Sequence, residues 1–176
     1  MVDAADQIAV EIVTPEGRKL AASADEVTAP SVNGEFGVLP GHLPLLAALR
    51  TGIVSYRTGS ETKKCAVGPG FVEAGANKLL ILTDHYAERE QIDPVVVRKE
   101  LGEIQGELAR AESSTDEDVK GQLDALIKKE NWLAAQLELY GDPPPPTMRP
   151  FETWGPPGPP DEADVPLAPE DEAKRT

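Results

Sequence analysis

The sequence predicts a β-sandwich of about ten short antiparallel strands, followed by an antiparallel α-helical hairpin and a disordered proline-rich tail. Three observations predict this order. Short apolar segments broken by Gly and Pro fill the first half, an apolar period of three and four residues follows, and 11 of the 17 prolines lie after Gly141. The changes in composition divide the 176 residues into a β-sandwich domain (1–86), a helical hairpin (87–141) and an acidic tail (142–176).

The strands are predicted from alternation and turn residues. Ile8, Val10 and Ile12 alternate with their neighbours, and the turn Pro15-Glu16-Gly17 makes the first hairpin. Further strands are predicted at 27–30, 37–39, 53–58, 63–67, 71–73 and 78–83. Because no long amphipathic helix separates these segments, the pattern favours an antiparallel sandwich over a parallel βαβ fold.

Two helices are predicted where the period changes. Asp93 caps the first helix, with Pro94 as its first residue, and Thr115 with Asp118 caps the second, which Gly141 ends. The first apolar stripe comprises Val97, Leu101, Ile104, Leu108 and Ala111, and the second comprises Val119, Leu123, Leu126, Ile127, Leu133 and Leu137. Such a hairpin exposes apolar edges unless it docks on the sandwich or on a partner.

The tail is rich in proline, which has no backbone donor, so residues 142–176 are predicted to be extended and mobile. Phe151 and Trp154 are candidate anchors for a partner, and an inert linker is the alternative. A scaffold that recruits partners through this tail is a further hypothesis, which rests on composition alone.

Charge and composition exclude several function classes. Asp and Glu total 31 against 17 Lys and Arg, a net charge of -14 that would repel nucleic acid and anionic lipid. The segment MVDAADQ lacks the basic residues of a signal peptide, and no apolar run approaches the roughly 20 residues of a membrane span, so no direct membrane insertion is expected. The single cysteine, Cys65, excludes an intramolecular disulfide.

Catalytic and cofactor motifs are not found in the sequence. The two histidines, His42 and His85, are not at metal-ligand spacing, and GEFG at 34–37 lacks the flanks of a dinucleotide-binding turn. Ser31, His42 and Asp84 are the residue types of a catalytic triad, but no nucleophile-elbow motif surrounds the serine. We therefore expect no catalytic residue, no metal and no cofactor.

The segment GEFGVLPGHLPLL at 34–46 combines three glycines and two prolines with apolar side chains that an ordinary surface loop would avoid. It is either a structural corner or a rigid docking surface with Glu35 and His42 at its rim.

This segment carries a resemblance to a known family. GEFGVLPGHLPLLAALRTG, the preceding VTAPSVN and the later GPGFVEAGANKLLILTDHYAEREQID resemble the epsilon subunit of bacterial F-type ATP synthase, whose mitochondrial counterpart is called delta. The resemblance covers about residues 5–140. It implies a noncatalytic rotor subunit of the central stalk that binds the gamma subunit and the c-subunit ring and couples proton-driven ring rotation to ATP synthesis. It also implies a peripheral location at the cytoplasmic face of the inner (plasma) membrane.

Site residues follow from the resemblance. The ring contact falls on Glu35, Phe36, Gly37, Val38, Leu39, Pro40, Gly41 and His42. A regulatory contact of the hairpin with the alpha and beta subunits falls on Leu126, Leu133 and Leu137. Some family members bind ATP through Ile-Asp followed after two residues by Arg-Ala. Here Ile92-Asp93 are followed by Arg98 and Lys99, with four residues between, so ATP binding is doubtful. The rival hypothesis is a free β-sandwich protein that binds or hydrolyses a small ligand.

Overall fold

The structure is a computed structural model that describes residues 7–113 and 117–145. For residues 117–121 it describes the backbone alone. The described residues form ten strands, a short 3-10 helix (Arg89–Gln91) and two α-helices. The strands are β1 (Ile8–Thr14), β2 (Gly17–Ala24), β3 (Glu26–Ser31), β4 (Gly34–Val38), β5 (Leu45–Leu49), β6 (Gly52–Thr58), β7 (Glu61–Val67), β8 (Gly70–Gly75), β9 (Lys78–Thr83) and β10 (Tyr86–Ala87). The helices are α1 (Pro94–Glu112) and α2 (Glu117–Tyr140).

The strands form two five-stranded halves. The first half has the order β10-β7-β6-β3-β4 and the second has the order β5-β8-β9-β1-β2. They are joined where Ser31 of β3 pairs with Leu49 of β5. All pairs are antiparallel except β1 with β9, which run parallel from Ala9↔Lys78 to Val13↔Leu82. The predicted sandwich of about ten antiparallel strands is confirmed, with this one parallel pair as an addition.

The core lies between the two halves and is almost entirely aliphatic. Its fully buried members include Ile8, Ile12 and Ile81 from the second half and Val27 and Val54 from the first. Side chains of this type pack tightly and resist compression, so the sandwich is a stiff body. An aliphatic core agrees with the low aromatic content of the sequence. Phe36, Tyr56 and Tyr86 pack only at the margin of this core.

The helical hairpin makes a third layer on the outer face of the first half. The alternation of β6 and β7 turns Val54 and Cys65 into the core and turns Ile53 and Ala66 outward to the hairpin. α2 lies against β6 and β7, and α1 packs on α2. The five stripe residues predicted for α1 are all buried, and all but Ala111 belong to the apolar cluster between the hairpin and the sheet: Val97, Leu101, Ile104, Leu108 and Ala111. The first half of the sheet is therefore covered on both faces.

The helix ends agree with the sequence where the structure describes them. Asp93 caps α1, because its side chain accepts hydrogen bonds from the backbone N–H groups of Val95 and Val96, and Pro94 is the first residue. Gly141, with φ +100°, ends α2. In the described part of the chain, neither helix is long and apolar enough to cross a bilayer. The cap at Thr115 and Asp118, and the anchors Phe151 and Trp154, lie outside the residues whose side chains are described.

Two further features differ from the sequence prediction or extend it. Strand β5 was not predicted, because Leu45–Leu49 reads as a uniform apolar run with no alternation to mark a strand. The division at residues 86 and 87 stays a prediction, and strand β10 spans that point.

Asp25 ties three parts of the sandwich together at the turn between β2 and β3. Its carboxylate accepts hydrogen bonds from Gln7 Nε2 at 3.1 Å and from the backbone N–H of Gly59 at 2.6 Å, and Arg57 lies 3.8 Å away. The Gln7 bond, then the Gly59 bond, and the charge of Arg57 lower the pKa of Asp25. The ionised side chain therefore stabilises the fold at neutral pH.

We expect Asp25→Asn to lower the melting temperature at pH 7 and to matter less in acid. Since the folded-state pKa lies below the unfolded value, the stabilisation is present above the unfolded pKa and is lost as the pH falls through the folded pKa. Thermal melting from pH 7 to about pH 3 measures this convergence. Glu73→Gln, at an exposed acid of β8, is the control. A pH-independent difference between Asp25→Asn and wild type would contradict the assignment.

Gly70 is required at the start of β8 by close packing. A Cβ atom there would lie 1.9 Å from the carbonyl oxygen of Leu82 in β9. The β8–β9 pairing therefore leaves no room for a side chain, and relief would require the two strands to separate.

We expect Gly70→Ala to destabilise the sandwich by at least the roughly 1 to 3 kcal/mol typical of overpacking. Gly37→Ala is the matched control, because its Cβ would have nothing within 4 Å, and should stay within about 0.5 kcal/mol of wild type. Urea unfolding compares the two variants. Equal stability of the two would show that β8 and β9 can adjust without loss.

Candidate functional site: loop, outer sheet face and hairpin

The segment singled out in the sequence begins as strand β4 and continues as a turn. β4 pairs with β3 through Val27↔Val38 and Pro30↔Glu35, which fixes the direction of each side chain. Leu39 and Leu43 of the following turn are exposed, Leu43 by 80%. The turn thus presents apolar side chains to solvent from a fixed backbone.

Hydrogen bonds hold this turn in place. The N–H of Gly41, at φ +79°, donates to Asn77 Oδ1 at 2.7 Å, and the N–H of His42 donates to the carbonyl of Leu39 at 3.0 Å. His42 Nδ1 lies 2.7 Å from the carbonyl of Leu43, which can only accept, so the proton is on Nδ1. Asn77 belongs to the β8–β9 turn, so the loop is fastened to the second half of the sandwich.

The eight residues predicted for the ring contact do not form one patch. Val38 is buried in the core and Phe36 packs against it. Glu35 points to the other side of the sheet, where it lines a cavity of about 160 Å³ with Arg50, Asn131 and Glu138. The exposed part of the predicted site is the turn, to which Leu39, Gly41 and His42 contribute.

A second surface was missed by the sequence reasoning. On the outer face of the second half, Phe71 of β8 stands opposite Leu82 of β9 and Ala48 of β5. Leu46, Phe71 and Leu82 are 74%, 44% and 47% exposed. We call the outer apolar face the set Val13, Leu46, Ala48, Phe71, Leu80 and Leu82. The exposed acid Glu73 lies on the same face, between Leu46 and Leu80. Its border carries ion pairs of Glu11 with Lys78 and Arg18, at 3.7 and 3.6 Å.

The sequence did contain a signal for this face. Residues 79–82 of β9 read Leu-Leu-Ile-Leu, so the strand is apolar on both sides, as in strands that are covered on both faces. Leu79 and Ile81 enter the core, while Leu82 is 47% exposed on the opposite face. A partly exposed apolar sheet face of this kind indicates a protein partner.

The hairpin residues predicted for regulation lie in the closed seam of the helices. Leu133 and Leu137 are buried, Leu137 completely, and Leu126 is half-buried in the same cluster. A stacked pair adds a lateral contact, with the rings of His85 and Trp132 5.2 Å apart. The stripe is therefore available to a partner only after the hairpin leaves this position.

The three residues named for nucleotide binding are engaged in structural contacts. Ile92 is buried in the hairpin cluster and Asp93 caps α1. Arg98 donates to the side chain of Asp142 and, at 3.1 Å, to its carbonyl. A cavity of about 310 Å³ between the helices is lined by Asp93, Glu100 and Lys129 among others. Two carboxylates beside one ammonium do not favour a polyphosphate.

Groups that could do covalent chemistry are held in unreactive states. Burial, and secondarily the charge of Glu88, raise the pKa of the Cys65 thiol to about 12, so it stays protonated at neutral pH. Burial and a 2.8 Å hydrogen bond to Glu88 raise the pKa of Tyr86. Ser31 Oγ donates to the carbonyl of Gly34 at 2.8 Å. Among the described residues, no three His, Cys, Asp or Glu side chains cluster as metal ligands.

Comparisons with known proteins identify the family of this chain. The family model described as ATP synthase, Delta/Epsilon chain, beta-sandwich domain matches residues 7–90. ATP synthase epsilon chain 2 of Syntrophotalea carbinolica is 38% identical over 104 residues, which cover 59% of this chain and 75% of that one. The epsilon chain of Leptospira interrogans is 40% identical over 101 residues, covering 57% and 80%. This chain belongs to the ATP synthase epsilon chain family.

The fold is also found in a solved assembly. A chain in the structure of the Euglena gracilis mitochondrial ATP synthase superposes with a TM-score of 0.62 at 24% identity, covering 75% of this chain and 82% of that one. As a member of the epsilon chain family, this chain is a noncatalytic subunit of ATP synthase, as the sequence predicted. The rival hypothesis of a free ligand-binding or hydrolytic β-sandwich protein is not supported.

Proposed function

We propose that this epsilon chain sits on the central stalk, binds gamma through the outer apolar face and meets the c ring through the turn at 39–43. In this position it couples proton-driven rotation of the ring to ATP synthesis. The observation that carries the proposal is the outer apolar face, in which Phe71 and Leu82 stand exposed at the centre of a folded sheet. Burying such a face against a partner is favourable by about 25 cal/mol per Å².

The chemistry of the face favours a protein over a lipid surface. The chain carries a net charge of -14, which opposes anionic headgroups. Glu11, Lys78 and Arg18 at the border offer paired charges of both signs, as the polar rim of a protein interface does. We therefore assign this face to gamma.

The turn suits contact with a rotating ring because it is anchored rather than loose. The N–H of Gly41 donates a 2.7 Å hydrogen bond to Asn77 Oδ1, and the side chain of Val38 is buried in the core. Force applied at Leu39 or Leu43 would pass into a packed aliphatic body with little deformation. Attachment to the ring through this turn would hold the subunit at the cytoplasmic face of the inner (plasma) membrane as a peripheral component.

We also propose that the hairpin regulates ATP hydrolysis by the complex. In the closed arrangement Leu133 and Leu137 are buried, and opening would offer them to the alpha and beta subunits. Residues 87–141 carry 13 acids and 7 bases, so charge does not favour a contact with acidic partners. The contact would then depend on apolar exchange between two packings that differ by a few kcal/mol.

Phe71→Ser should weaken copurification with gamma, because aromatic side chains at the centre of an interface commonly contribute about 2 kcal/mol, or about thirtyfold in affinity. His42→Ala combined with Leu43→Ser, both in the exposed turn, should weaken attachment to the c ring and leave gamma bound. Pull-down from the assembled complex measures both. Val95→Ser, at a 77% exposed residue on α1, is the matched control.

Melting temperatures accompany these pull-downs, since exposed substitutions usually change stability by only about 0.5 kcal/mol. Normal gamma binding by Phe71→Ser would overturn the assigned face. A large loss of melting temperature with normal ring binding in the His42 and Leu43 variant would identify the segment as a structural corner. A chain that elutes alone in every form would contradict the stalk position.

Cutting the chain after Glu88, which keeps β10, should raise ATP hydrolysis by the assembled soluble complex. Because the proposed block is apolar, the difference should persist at high salt, where exposed charges are screened within about 3 Å at 1 M. Replacing Lys120, Lys128 and Lys129 by Ala should change it little. Inhibition that disappears with salt or with the three lysines would refute the apolar account, and an unchanged rate would remove the regulatory role.

A further inference from the structure

We infer that Arg89 and Arg98 form a clamp that holds the C-terminal end of α2 and thereby keeps the hairpin closed. Arg89 precedes α1 and Arg98 lies in its second turn. They donate hydrogen bonds to Tyr140 and Asp142, where α2 ends. The inference deepens the regulatory role proposed above and rests on it only for its effect in the assembled complex. The clamp itself is a property of this chain.

The first half of the clamp joins the two helices. Arg98, in the second turn of α1, donates from Nη2 to the carbonyl of Asp142 at 3.1 Å and also to the Asp142 carboxylate. One guanidinium thus holds a backbone and a side-chain oxygen of the same residue. Both hydrogen bonds leave the same nitrogen, Nη2, so the contact combines a charge-assisted bond to the carboxylate with a bond to a backbone carbonyl.

The second half joins α2 to the segment that leads out of the sandwich. Arg89, in the 3-10 helix between β10 and α1, donates from Nε to the carbonyl of Tyr140 at 3.3 Å. Its guanidinium also lies over the Tyr140 ring, 5.3 Å from the centroid. Arg89 therefore holds the last residue of α2 to the region about which the hairpin would swing.

The geometry of the helix end prepares both contacts. Gly141, at φ +100°, donates to the carbonyls of Leu137 and Glu138, and the N–H of Asp142 donates to Leu137 at 2.9 Å. This is the hydrogen-bond pattern of a Schellman end, which reverses the chain direction. The reversal leaves the carbonyls of Tyr140 and Asp142 free of the helix ladder and accessible to the arginines.

The clamp adds polar contacts to an end of α2 that Leu139 already packs on the apolar cluster of the hairpin. Leu139 lies between two cavities of about 630 and 550 Å³ that separate the last turns of α2 from the sheet. Both cavities are lined by Lys64 and Arg89. Next to these cavities the last turn of α2 keeps one apolar contact, that of Leu139, and the arginines supply the polar contacts.

The contacts are exposed, so their strength depends on salt. About half of the Arg98 and Asp142 side chains is accessible to solvent. An exposed pair of this kind shifts an equilibrium by only a few-fold at low ionic strength and is screened at high ionic strength. That range suits a switch, because a stronger contact would keep the hairpin closed permanently.

The test is amide hydrogen exchange of the full-length isolated chain at low and high salt. At low salt, Arg98→Ala should speed the exchange of peptides covering 122–136 by about fivefold, the effect of one exposed ion pair. Arg89→Ala removes a hydrogen bond and a cation–π contact and should speed it by a similar factor. Exchange in β1 and β9 should not change. At about 1 M salt the wild type should approach the variants. Arg98→Lys keeps the positive charge and should restore part of the protection, because both contacts of Arg98 come from one nitrogen.

Lys99→Ala is the matched control. Lys99 is an exposed base next to Arg98, and its partner Glu103, 3.9 Å away, lies on the same helix. Arg98→Ala combined with Asp142→Ala should exchange no faster than Arg98→Ala alone. Equal effects of Lys99→Ala and Arg98→Ala would overturn the clamp. Faster exchange confined to 137–140 would also overturn it, because that result identifies a local helix cap.

The assembled complex separates this inference from the proposed function. If the variants open the hairpin of the isolated chain and change ATP hydrolysis by the complex, both stand. If they open the hairpin while hydrolysis stays the same, the clamp stands and the regulatory role falls. If amide exchange of the isolated chain is the same in the variants and the wild type, the clamp is refuted. That conclusion does not depend on the ATP hydrolysis rate of the truncated complex.

Discussion

The packing of α2 on the outward side chains of β6 and β7 is the contact on which the rest of the arrangement depends. Ile53 and Ala66 face the hairpin from the same strands whose alternate residues, Val54 and Cys65, fill the core. The first half of the sandwich is thereby buried on both faces by its own chain. The second half is not, and its outer face with Phe71 and Leu82 is the surface left for a partner.

This division separates two mechanical roles. The core of the sandwich is aliphatic and continuous, so it resists deformation and suits a body that transmits torque. The hairpin is attached at one surface, bordered by polar cavities and held at its end by exposed arginine contacts. The sandwich core and the hairpin therefore occur in one chain but are stabilised by different residues.

Local patterns were sufficient for much of the fold. The alternation of Ile8, Val10 and Ile12 and the cap at Asp93 depend on neighbours in the chain, and both predictions are confirmed. Strand β5 was missed because Leu45–Leu49 carries no alternation. The direction of Glu35 could not be read from the loop, since it depends on the register of β4 with β3. Similarly, Arg98 meets Asp142 only because the two helices are antiparallel.

The parallel pairing of β1 with β9 has a consequence for how the chain is made. Ala9 pairs with Lys78, so β1 has one open edge until almost all of the sandwich has been synthesised. Contacts between residues so distant in sequence slow folding, and the open edge is a site for pairing with another chain. Synthesis must pass residue 83 before β9 is complete, whereas the hairpin follows later. During translation β1 can therefore pair with another chain through its open edge. In the folded subunit β2 and β9 occupy both edges of β1.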